Sequence, residues 1–341
     1  MLSLLVAREK IRAFYAKYDL FINPLIKFIL VLSVLVLIKS NIGYAEALNN
    51  PLISVGLALV CSVLPFGGIS FVLSLYLLLD VYKASYDMAI ILAVMLICIA
   101  VLYYGFKPGD SFLLILTPLA FALKIPYAVP LLVGLGGGLL SAIPVSFGVV
   151  LYYFIIFIKY NIGTLTNASS VEITQKYMIL IEGAFHNKTM NLMMISFIIC
   201  IVVVYLVRTL SINYAWLVAI VSGIVTELTL IFIGDLVYGI KLQPGELIGG
   251  MVLSALIAAI YHFFVFAVDY SHTEYTQFED DDYYYYVKAV PKIVVATPDR
   301  KVQKFSPSKS DKKLQRWGVR KAKSVPSEPK EKKIQDIDLS R

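Results

Sequence analysis

Eight apolar runs fill most of the first 268 residues, and their lengths constrain the fold more than any other feature. They are Phe21 to Ile38, Pro51 to Val81, Met88 to Tyr104, Ser111 to Leu123, Val129 to Ile158, Leu192 to Leu210, Tyr214 to Tyr238 and Leu247 to Phe266. A hydrocarbon core about 30 Å thick takes roughly 20 helical residues to cross, and a helix satisfies its backbone polar groups without water. The runs therefore predict an all-α polytopic integral membrane protein. Composition agrees, at 59% hydrophobic and 16% charged with mean hydropathy +0.79, where soluble domains are about half apolar and a quarter charged.

Two runs are too long for one helix. Pro51 to Val81 is interrupted by Pro65-Phe66-Gly67-Gly68, and Val129 to Ile158 by Pro144 with Ser146 and Gly148. Each half then holds about 14 residues, or roughly 21 Å of helix. Such a run is either a re-entrant hairpin, whose turn must be buried in protein or line a wet cavity, or a pair of short, mismatched spans. The favoured expectation is six spanning helices plus two re-entrant hairpins, over residues 51–81 and 130–158, with ten short spans as the alternative. Both return the chain to the side it left, so both give the same sidedness.

Charge sets that sidedness. Met1 to Leu20 carries Arg8, Lys10, Arg12 and Lys17 among apolar positions Leu4, Leu5, Ala7, Ile11, Phe14 and Tyr15. This spacing predicts an amphipathic surface helix rather than a cleavable signal. Residues 41–50 hold no Lys or Arg, whereas 16 of the 30 Lys+Arg follow Val268. The positive-inside rule then places both termini in the cytoplasm and the chain in the cytoplasmic membrane. The transmembrane domain is expected over 21–268, with an outer segment at 159–191. In that segment Ser169 and Glu172 are spaced as a capping box, ahead of Ile173, Tyr177, Leu180, Ile181 and Phe185 on one helical side.

An offset of 79 residues brings Pro51-Leu52 onto Pro130-Leu131 and Ser62 to Pro65 onto Ser141 to Pro144. The implied unit is span, broken hairpin, span, in two parallel copies, with the last two spans outside it. Paired broken helices point to a transport path, because unwound backbone frees groups that can replace a solute's hydration. On this reading Pro65, Gly67, Gly68, Pro144 and Gly148 line the path. Gly134 with Gly138, and Gly245 with Gly249, are spaced as close-packing faces.

Few ionisable residues lie deep in the runs. Glu227, between Thr226 and Thr229, is the strongest candidate for a protonatable or cation-binding carboxyl. His262 lies too far along its own helix to meet it without strong tilt. Asp80 and Asp235 fall near run ends, and Lys27, Lys124 and Arg208 are positioned to snorkel. HExxH, GxSxG, Walker A and CxxC patterns are all missing, and the three histidines have no metal-ligand spacing. Neither an enzyme nor a cofactor is therefore expected, and transport would need a separate energising subunit or an ion gradient.

The tail divides in two. Residues 269–298 contain an acidic cluster, Glu279 to Asp282, followed by Tyr283, Tyr284, Tyr285, Tyr286, Val287 and a β-branched stretch through Ile293. This reads as one extended strand needing a partner: the chain's own helices, another copy in a homo-oligomer, or a cytoplasmic protein. Residues 299–341 carry 14 Lys+Arg against 6 Asp+Glu, predicting disorder and attraction to anionic lipid headgroups. Two functions emerge: a permease-like transport component, favoured by the hairpins and Glu227, and a membrane scaffold recruiting a cell-envelope or division partner, favoured by the tail.

Overall fold

A computed structural model describes residues 2–45, 48, 50–106, 108–166, 182–183, 187–212, 214–240, 244–266, 274–279 and 283–289, all within the unit Met1–Val295. The expected helix at 169–185 lies almost wholly outside the described residues, as do Ile293 and the basic tail.

The first helix, α1 (Leu2–Asn41), unites the expected surface helix and first span. It bends at Tyr18, whose φ of −115° and ψ of 19° leave the helical region. The bend lies just ahead of Pro24, which has no N–H for the Leu20 carbonyl and whose ring crowds it. Beyond it come α2 (Pro51–Val63), α3 (Phe66–Ala84), α4 (Tyr86–Phe106), a 3₁₀ turn (Pro108–Asp110), and α5 (Ser111–Ala122). The chain continues through α6 (Ala128–Gly136), a second 3₁₀ turn (Leu139–Ser141), α7 (Ala142–Thr166), α8 (Lys188–Arg208), α9 (Ala215–Tyr238) and α10 (Pro244–Tyr261), which ends in one π-helical turn (His262–Phe266).

Among the described residues seven helices are long and apolar enough to cross a membrane: α1, α3, α4, α7, α8, α9 and α10. The chain is an all-α membrane protein. The equal halves expected of the broken runs are corrected, because each consists of one short and one long helix. α2 has 13 residues before its break and α3 has 19 after it; α6 has 9 and α7 has 25. The second break is also displaced. It falls at Gly137 and Gly138, both extended, while Pro144 is the third residue of α7. Proline is tolerated there because a first-turn N–H has no intrahelical acceptor to lose. Residues 111–123, read as a span, form the short helix α5 of 12 residues.

Two apolar cores run through the bundle. One joins α1, α2, α3 and α4 to parts of α5 and α7 around Leu35, Cys61, Ile69 and Leu92. The other packs α6, α8, α9 and α10 against the opposite side of α5 and α7, around Val145, Phe197, Ile201 and Ile231. In the tail, the single extended strand is corrected to a hairpin. β1 (Glu274–Glu279) pairs antiparallel with β2 (Tyr284–Ala289), Phe278 facing Tyr285 and Thr276 facing Val287. The residues before the acidic cluster, Tyr-Thr-Gln-Phe, alternate as a strand does and supply the missing partner.

Candidate functional site

Both breaks lie at one end of the bundle. Ser70, one turn past the first break, shares its hydroxyl hydrogen between the Phe66 and Ser111 carbonyls at 3.0 and 3.3 Å. Next to Ser111, Asp110 accepts the Ser141 hydroxyl of the second break. A helix that stops inside a membrane protein leaves carbonyls with no intrahelical donor, and here cations take them. Lys27 donates to the Leu64 carbonyl at 2.9 Å, its ammonium 5.2 Å from the Phe66 ring centre. Arg208 donates to the Leu135 carbonyl and to that of Gly137 at 2.6 Å, with Tyr205 and Trp216 against its guanidinium. Arg12 does the same for the π-turn ending α10, reaching the Phe264 carbonyl at 2.7 Å. These are charge-assisted bonds at helix C-termini, where the macrodipole also favours a cation. Lys27 and Arg208 thus cap broken helices. Spacing could not reveal this, because the acceptors lie far away in sequence.

At the other end Asp80, 2% exposed, accepts the Gly43 and Ala45 N–H groups at 2.9 and 2.8 Å. It fixes the turn after α1 to the far part of α3.

The residues read as a transport path do not converge. Pro65 precedes α3 as its N-cap. Gly67 lines an apolar cavity, and a Cβ at Gly68 would meet Leu64 and Pro65 only at ordinary contact distance. Gly148 is a packing glycine, since a Cβ there would lie 2.5 Å from Cβ of Thr117 on α5. Gly134 is another, facing Val204 Cβ at 2.6 Å, whereas Gly245 and Gly249 meet nothing within 4 Å among the described residues.

Glu227 stands apart, in the second core. Antiparallel packing of α9 on α8 and α6 sets Gly223 against Cys200, Val204 and Leu131, and the Cys200 thiol donates to the Gly223 carbonyl at 3.7 Å. One turn along, the same register layers Glu227 with Ser196 and Tyr127. Glu227 and Ser196 are both 0% exposed; the Cys200 thiol lies beside the carboxyl, and among the described residues no N–H or O–H donor reaches either carboxyl oxygen and the serine hydroxyl has no partner. Cys200 and Tyr127 are its electrostatic neighbours. The Glu227 layer, at Ser196, lies about 18 Å along α8 from Arg208, twelve residues at 1.5 Å each, so the carboxyl and the breaks are separate features. His262 packs edge-on to Trp216, eleven residues or about 16 Å along α9 from Glu227. The two ionisable groups are not a pair.

In the hairpin, Tyr283, Tyr284, Tyr285, Tyr286 and Val287 are all exposed. Because successive strand residues face opposite ways, Tyr284 and Tyr286 lie on one face and Tyr285 and Val287 on the other. Comparison of the chain with protein-family models, with curated proteins and with solved structures finds no match in any of the three.

Proposed function

We propose that the chain is a permease-like component of a transport system, with Glu227 as its ion-binding point. The observation that supports this reading is the Glu227 layer. A carboxyl group in a membrane interior is costly unless something pairs with it, and here a hydroxyl, a thiol and a phenol surround it without a cation. A proton or a small cation passing through supplies the missing partner. The paired short helices, each followed by a break and a long helix, support two copies of one structural unit. No nucleotide-binding motif occurs in the sequence, so a second subunit or an ion gradient supplies energy.

A second reading, a membrane scaffold, draws on the hairpin. Isolated two-stranded hairpins are marginal in water, and this one presents tyrosines on both faces with no third strand among the described residues. One experiment separates the readings: mass spectrometry of crosslinked complexes from native membranes, comparing the intact chain with one truncated after Asp269. Recovery of a nucleotide-hydrolysing or solute-binding subunit with both chains supports the permease. Recovery of cell-envelope or division proteins, lost on truncation, overturns it in favour of the scaffold. Glu227→Gln is expected to abolish uptake of the solute so identified, and unchanged uptake removes Glu227 from the mechanism.

A further inference from the structure

The first core contains a cavity of about 300 Å³ between α1, α3, α4, α5 and α7, at the lower end of the range that holds small ligands. Its walls are almost wholly apolar. On α3 it extends from Gly67 to Leu78, about 16 Å of helix, so it lies lengthwise to the bundle. Phe71 and Ile97, 69% and 63% exposed, belong to its lining, which opens the slot sideways to the surrounding hydrocarbon. An apolar slot open to acyl chains fills with one, because water has no polar partners there.

The end of the slot beside the first break carries a charge. Lys27 shares one face of α1 with the lining residues Val34 and Ile38, at seven and eleven residues' spacing. Its ammonium sits over Phe66, the neighbour of lining residue Gly67. Of its three N–H donors, Leu64 takes one, and among the described residues no other acceptor takes the remaining two, which are available to an anion. A half-buried cation at the head of a lengthwise apolar slot matches the geometry of an amphiphile with a negatively charged head. We propose that this is a binding site for one anionic phospholipid, an acyl chain in the slot and the phosphate on Lys27. The site depends only on membrane insertion, not on the permease reading, and lies in the opposite core from Glu227.

The test is native mass spectrometry of the full chain released from detergent, titrated with phosphatidylglycerol or with phosphatidylcholine of the same chains. The expected result is one tightly held phosphatidylglycerol, preferred roughly fivefold, the effect of one lysine near an anionic surface. Ala93→Phe, filling the slot, should remove that lipid. Ala100→Phe does so from an exposed lining position that places less demand on packing. Lys27→Gln should abolish the preference while leaving chain binding in place. Undiminished phosphatidylglycerol binding in both phenylalanine variants overturns the slot, and an unchanged lipid preference in Lys27→Gln overturns the headgroup contact.

Discussion

Replacing Arg208 by leucine isolates what capping of the second break contributes. Arg208 holds two carbonyls, those of Leu135 and Gly137, and hydrogen bonds to a charged group contribute about 1.5–3 kcal/mol each. The two sites differ. Gly137 is partly exposed, so water takes over there, whereas Leu135 is 0% exposed and its carbonyl is left without a donor. Leucine keeps the packing against Tyr205 and Trp216. The expected loss is therefore about 2–4 kcal/mol, one full bond and part of the other. At roughly 2–4 °C per kcal/mol for a domain of this size, the unfolding temperature falls by roughly 4–16 °C. Cysteines provide the assay, since Cys61 and Cys200 are buried and Cys98 is exposed. In a Cys98→Ser background, a thiol-reactive fluorophore in detergent reports only unfolding. Arg208→Lys, a point charge without the two-pronged guanidinium, should recover about half of the loss. If Arg208→Leu unfolds at the parent's temperature, the guanidinium does not hold the break.

The same assay checks three further expectations. Gly134→Val forces a side chain onto Val204 and should cost about 1–3 kcal/mol, while Gly249→Ala, in open space, should be neutral or stabilising by up to about 1 kcal/mol; equal effects refute the packing assignment. Asp80→Asn puts an amide where two N–H groups converge and should cost about 1–3 kcal/mol, an unchanged midpoint showing that the α1 turn does not depend on the carboxylate. Glu227→Leu removes a buried carboxyl that no N–H or O–H among the described residues reaches and should raise stability by about 1–3 kcal/mol, the trade expected of a functional group in a core; a fall in the midpoint means that the carboxyl is held by its neighbours.

How much was legible in the sequence varied with the range of the interaction. Runs of apolar residues identify membrane helices because the bilayer, as solvent, acts on each segment separately. The break at Pro65 was legible too, since a prolyl ring disrupts its own helix wherever that helix lies. Pro144 shows the limit of that rule: the disruption depends on position within the helix, and a first-turn proline breaks nothing. Gly138, read as a packing residue, forms the real break together with Gly137, and only the chain's path shows it.

The sequence by itself determined the membrane class, the location of the apolar runs and the isolation of Glu227 among apolar residues, since each rests on hydropathy over neighbouring positions. Tertiary structure alone decided which cation holds which carbonyl, that Glu227 stands about three helical turns from the second break, and that the tyrosine strand pairs with the segment just before it. Those outcomes depend on distances between residues tens to hundreds of positions apart. Hydropathy carries no information on which helix faces which, so the capping roles of Lys27 and Arg208 follow only from α2 and α6 ending beside them.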